Sequence, residues 1–271
     1  MIRRALAALL ALAGCAPAAP PAPAPVSPRR IVSLDYCADQ YVLKLAPRDR
    51  ILAVSRDAGR PTSYMRAAAA GLPRVAPRAE DVLVLKPDLV VRSYGGGPGA
   101  AEFFARAGIP VLQLPYAEDL PGIRAATVDV AAGLGVPARG TALAAEMDAR
   151  LASLPRRDGG AAALYMTPGG VTAGPGTLVA ELLAAAGLRN FQEESGWRDL
   201  PLERLAYERP DLVAAASFQG VGDAEPWSAA RHPIARAQLN GPVVGLEGAW
   251  TACGGWFLLD AVEALAREPR K

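Results

Sequence analysis

One histidine, His232, is all the imidazole this 271-residue chain contains. Ser-His catalysis would rest on that residue alone, and a metal site built from several histidines is excluded. There is no G-x-S-x-G elbow and no H-E-x-x-H pair, and His232 is followed by Pro233 at a helix start. The glycine-rich stretches 95–99 and 169–176 lack the lysine of a phosphate loop and the G-x-G-x-x-G spacing, so they read as flexible or close-approach backbone. A formal net charge of +2 with no basic stripe gives nucleic acid nothing to hold. The apolar run Ala5 to Ala13 is too short to span a bilayer.

That run is informative for another reason. It follows Met1-Ile2-Arg3-Arg4, a positive n-region, and ends in Leu12-Ala13-Gly14-Cys15, which resembles the lipobox of bacterial lipoproteins. Residues 1–15 then form a signal peptide whose cleavage leaves Cys15 lipidated. The alternative is an ordinary signal peptide with a chance cysteine. Residues 16–28, nearly all Ala and Pro, make an extended tether. Either reading puts the folded part outside the cytoplasm. In that oxidising setting Cys37 and Cys253 are a disulfide candidate, with buried free thiols or a shared soft-metal site as the other readings.

Two stretches repeat 123 positions apart. Residues 80–90 (Glu80 to Lys86-Pro87-Asp88-Leu89-Val90) and 203–213 (Glu203 to Arg209-Pro210-Asp211-Leu212-Val213) each give a short amphipathic helix, a Pro-Asp stop and an apolar strand. Proline cannot continue a helix and pushes its predecessor out of the α region. In both copies a glutamate stands seven residues before the proline. Two copies in register predict two similar lobes.

The rest of the pattern agrees. Strands are predicted at Ile31 to Leu34, Ile51 to Val54, Leu89 to Val91 and Val111 to Leu114, with helices between, one of them opened by Asp35 as N-cap. Residues 120–154 carry only helical signals. The α/β alternation then returns at Ala162 to Met166, Asp211 to Ala215 and Pro242 to Leu246, and a helix from Trp256 to Ala266 closes the chain. The predicted fold class is α/β: two lobes with parallel sheets, 29–136 and 156–271, joined by helix at 137–155 rather than by a loose linker.

Arg30-Ile31-Val32-Ser33-Leu34, Leu85-Lys86-Pro87-Asp88-Leu89-Val90, the helical middle and His232-Pro233 ahead of a late strand resemble the class III substrate-binding proteins of ABC importers. These capture ferric siderophores, haem or cobalamin. The resemblance covers about residues 29–267 and implies two Rossmann-like lobes joined by one long rigid helix, here 137–155, with the ligand cleft between them. It implies a monomeric, periplasmic binding protein that docks on permease membrane subunits through one glutamate per lobe, and Glu80 and Glu203 stand at the matching positions. The bland reading of each is a carboxylate favoured by a helix N-terminus.

In open α/β sheets, ligands bind beyond the carboxyl ends of the strands. Those ends offer Tyr36, Arg92, Tyr94, Tyr116, Met166 and Trp250, and the resemblance adds Trp197. Aromatics are 6% of the chain, yet many gather at these mouths, where flat rings suit a large amphipathic metal chelate. Tyrosines at the mouth are compatible with haem; few charges and many rings favour cobalamin or a near-neutral siderophore. If the family topology holds, Cys37 and Cys253 face the cleft from opposite lobes. No resident cofactor, metal or catalytic residue is expected. The competing function is an extracytoplasmic lipoprotein of the same fold with a sensory or enzymatic role.

Overall fold

The computed structural model describes residues 27–155, 160–217 and 227–268. Cys15 and the tether as far as residue 26 lie outside the described residues.

Lobe 1 opens with β1 (Ile31–Ser33), α1 (Tyr36–Leu45), β2 (Ile51–Ser55), the two-residue β3 (Arg74–Val75), α2 (Ala79–Leu83), β4 (Leu89–Arg92), α3 (Ala100–Arg106) and β5 (Val111–Gln113). Its sheet is parallel, in the order β3-β2-β1-β4-β5. The central strands β1 and β4 are buried along their whole length, as both-face coverage of a parallel sheet requires. Two helices follow, α4 (Leu120–Gly133) and α5 (Pro137–Ala152), with Asp119 capping α4 and proline opening the first turn of each.

Lobe 2 contains β6 (Ala162–Met166), β7 (Val171–Ala173), α6 (Leu178–Ala185), β8 (Arg189–Asn190), β9 (Trp197–Asp199), α7 (Leu202–Leu205), β10 (Leu212–Ser217), α8 (Pro233–Gln238), β11 (Val243–Glu247), α9 (Gly248–Thr251) and α10 (Leu258–Arg267). Its main sheet is parallel, in the order β11-β10-β6-β8. The ribbon β7–β9 is antiparallel and has no counterpart in the sequence reading. Strands of two or three residues are too short to show a period.

The sequence repeat has a physical job. In lobe 1 the Asp88 carboxylate accepts the backbone N–H groups of Arg29 and Arg30 at 2.8 Å each, just before β1. In lobe 2 the Asp211 carboxylate accepts the N–H of Ala162, first residue of β6, at 2.7 Å. Each Pro-Asp pair therefore ends a helix, starts a strand and fixes the entrance of the neighbouring strand. Lys86 takes the stop further, with φ of 48° in the left-handed region, and Arg30 holds that turn by donating to the carbonyls of Lys86 and Leu85.

Helix α5 touches both lobes. Near its start Arg139 donates to the Leu45 carbonyl of lobe 1 at 2.7 Å. Near its end Arg150 pairs with Asp260 at 2.6 Å and Glu263 at 2.7 Å on α10 of lobe 2. The largest apolar core runs through both lobes, from Ile31, Tyr41 and Leu45 through α4 and α5 to Leu182, Trp256 and Leu259. Two smaller cores lie under the outer faces of the two sheets. The lobes are thus packed on one another rather than strung on a linker.

Candidate functional site

The first sheet turns at β1 and β4, which lie side by side and send their connections in opposite directions. Asp35, buried directly after β1, organises that point. One carboxylate oxygen caps α1 by accepting the N–H of Ala38 at 2.9 Å. The other accepts the N–H groups of Ser93 (2.7 Å), Tyr94 (3.1 Å) and Gly95 (2.9 Å). A Cβ at position 95 would lie 2.6 Å from Leu34, so only glycine lets this loop come close enough. Asp35→Asn would turn an amide N–H toward one of these donor sets. We expect it to lower stability by about 3 kcal/mol and to speed hydrogen exchange at 93–95; unchanged exchange would refute the clamp.

The clamp places Tyr94 edge-on against Tyr36, ring centres 6.2 Å apart. The Tyr36 hydroxyl donates to the Ala252 carbonyl of lobe 2 at 3.3 Å, and Tyr41, one turn further along α1, donates to the Gly254 carbonyl at 3.2 Å. Between them Cys37 is bonded to Cys253, with Cα atoms 5.5 Å apart. One helix of lobe 1 is thereby sewn to the 252–254 segment of lobe 2. Burial raises the pKa of both Tyr36 and Tyr94; the Asp35 charge raises each further, and Tyr36 adds to the effect on Tyr94. Both phenols are neutral near pH 7.

Over this seam lies a recess of about 440 Å3 lined from lobe 1 by Ser93, Tyr94, Gln113 and Tyr116 and from lobe 2 by Leu178 and Gly254, with the disulfide in its wall. None of its described lining residues is Asp, Glu, Lys or Arg. Tyr116 is 89% exposed and Tyr94 54%, leaving both rings open to a ligand. A second recess between the lobes, of about 430 Å3, is polar and includes Thr62 and Arg66 opposite Ser217 and Glu247. Among the described residues no group of three or more His, Cys, Asp or Glu could hold a metal ion.

The other residues expected at the cleft are placed differently. Met166 is buried with Leu164 and Phe191: strand alternation puts it on the face of Ala162 and Leu164, inside an outer core of lobe 2. Arg92 is 6% exposed, shares the Val90 face of β4 and lines neither recess; its Nε has no hydrogen-bond partner. Trp250, in α9, is half-buried against the inter-lobe core. Trp197 is 57% exposed and edge-on to Tyr165 at 6.1 Å, but lines neither recess. His232 caps α8, its Nδ1 accepting the N–H of Ile234. Gln113 and Glu247 end their strands, as the rule on carboxyl ends requires, and were passed over for rings. Arg66 lies in a turn-rich stretch with no motif to betray it.

Beneath the site, Asp39 of α1 is fully buried and accepts from the Ser55 N–H (3.0 Å) and Ser55 hydroxyl (2.6 Å) at the end of β2. Burial outweighs those bonds and raises its pKa to about 6. The unfolded carboxyl has already lost its proton at about pH 4. Between about pH 4 and 6 the folded state binds more protons, so stability falls as pH rises through that window. The change is on the order of 2 to 3 kcal/mol. Asp39→Asn, whose Oδ1 can still accept the Ser55 N–H and whose Nδ2 can donate to the Ser55 hydroxyl oxygen, should flatten it in urea titrations across that range; an unaltered slope would show that Asp39 is not the group.

The family model described as periplasmic binding protein matches residues 31–230, and the chain belongs to that family. It has the class III architecture of two parallel α/β lobes. A cobalamin-binding protein of Halobacterium salinarum is 30% identical over 196 residues, which cover 69% of this chain and 53% of that protein. The chain thus spans about half the length of the curated relatives it matches. A periplasmic haem-binding protein of Pseudomonas aeruginosa superposes with a TM-score of 0.65 at 25% identity, over 88% of this chain and 91% of that one. The periplasmic haem-binding protein BhuT, solved with two haems, gives 0.65 at 28% identity over 89% and 97%. The family is one of extracytoplasmic binding proteins rather than enzymes.

Proposed function

We propose that the protein is the substrate-binding lipoprotein of an ABC importer, and that its ligand is a corrinoid of the cobalamin type. The observation that carries the ligand is the recess beneath Tyr94 and Tyr116, walled by rings, amide and aliphatic groups with no charged side chain among the described lining residues. A ferric siderophore with a net negative charge, or the propionates of haem, would be desolvated there without a cation to meet them. A ligand whose periphery is largely amide fits the Gln113 side chain and the Ser93 and Ala252–Gly254 segments. Both tyrosines being neutral also favours stacking and hydrogen bonding over phenolate ligation of haem iron. The cobalamin-binding relative points the same way.

The protein acts as a monomer, held to a membrane by Cys15 and lifted off it by the tether. Glu80 and Glu203 dock it on the membrane subunits. Both are exposed, and neither carboxylate makes an ion pair or hydrogen bond among the described residues.

The test is binding by the mature chain to cyanocobalamin, cobinamide, haemin and ferric hydroxamate, catecholate and citrate complexes, read by tryptophan fluorescence corrected for ligand absorbance. Saturable one-to-one quenching by the corrinoids, at micromolar or tighter affinity and at least about 100-fold tighter than by citrate complexes, is expected. Preference for haemin would replace the ligand and keep the role. No binding across the panel by folded protein would favour the non-transport lipoprotein.

A further inference from the structure

The two docking helices share more than a glutamate. In α2, Glu80 is followed four residues later by Val84, and in α7, Glu203 is followed four residues later by Tyr207. Val84 is 79% exposed and Tyr207 91%. Residues four apart in a helical turn lie one above the other on one face. Val84 continues α2 with helical backbone angles, and its N–H donates to the Glu80 carbonyl at 3.3 Å. In lobe 2 Tyr207 lies two residues past α7, in a helical turn continued by Tyr207 and Glu208 both donating to the Arg204 carbonyl, at 3.0 and 2.8 Å. On the buried side the register also agrees: Val82 and Leu205, again 123 positions apart, anchor the two helices in their cores.

A single exposed valine or tyrosine carries no message. Two large apolar side chains at the same position of an internal repeat, each beside an unpaired carboxylate, form the same surface twice. We infer that Val84 and Tyr207 are paired apolar contacts to a partner that presents one basic-and-apolar site in two symmetric copies, namely the two membrane subunits of the permease. The carboxylate supplies steering and register, and the apolar neighbour shields the ion pair from water so that it is worth more. This rests on the transport reading above.

The experiment places the photo-cross-linker p-benzoylphenylalanine at position 84, at 207, or at Leu239, an exposed apolar residue of lobe 2 outside the repeat, in the full-length lipoprotein in its own cells. Cross-linking at 84 and 207 to the same polytopic membrane polypeptide, identified by mass spectrometry, with none at 239, is the expected result. Different targets at the two positions, or equal cross-linking at 239, would overturn it. In parallel, Val84→Ser with Tyr207→Ser should cut cyanocobalamin uptake at limiting protein by about 10-fold while its affinity for cyanocobalamin is unchanged. Unchanged uptake would overturn the inference and leave the transport reading standing. Failure of the unaltered protein to bind any chelate of the panel, with no membrane polypeptide trapped, would overturn both.

Discussion

Replacing Cys37 and Cys253 together by serine lowers the melting temperature by about 10 °C. The bridge joins residues 216 apart in sequence, and a loop that long gives about 5 kcal/mol in the chain-entropy account of disulfides. For a domain of this size each kcal/mol moves the midpoint by about 2–4 °C, and residual denatured-state order trims the full effect. The fold itself survives, because the same seam is held by the Tyr36 and Tyr41 hydroxyls and by a core continuous through both lobes. Circular dichroism of wild type with and without reductant, beside the double variant, reads it directly. A midpoint that reductant and substitution both leave unmoved would show that the bridge adds nothing to stability. The bridge also limits how far the lobes can part, so small-angle scattering of the oxidised protein should change little on ligand binding and more after reduction.

Glu80→Arg with Glu203→Arg abolishes uptake while leaving chelate binding intact. On the docking proposed above, each reversal replaces an attraction to a basic site by a like-charge contact, and one such contact costs about 10-fold or more in affinity. Applied at both ends, the loss exceeds about 100-fold. The recess proposed for the ligand lies between the lobes, and neither glutamate is among its described lining residues. Uptake assayed in cells lacking the native gene gives the answer: full transport by the double variant would remove the two carboxylates from any docking role. Restoration of uptake by charge reversal in the membrane subunits would identify their partners.

The architecture was readable because its signals are backbone signals. Pro87 and Pro210 dictate helix ends, Asp88 and Asp211 pin strand entrances, and buried parallel strands advertise themselves as apolar runs. The repeat was visible because both lobes solve the same problem. Side-chain direction was harder. Met166 ends a strand whose faces are both buried, so its sequence neighbours carry no alternation to say which way it points. Arg92 stands at the carboxyl end of a strand, which predicts a place in the cleft, yet it is almost completely enclosed. Ser93, Gln113 and Gly254 come together from segments that no spacing relates, and only the tertiary fold shows it.

The bond between Cys37 and Cys253 closes nearly all of the folded chain into a covalent ring. Such a bond cannot form until Cys253 has been made, 216 residues after Cys37, so it is closed only when nearly the whole folded chain exists. It also changes what a protease can achieve. A single cut in any exposed loop between the two cysteines leaves one linked molecule, and its two lobes remain registered across the seam.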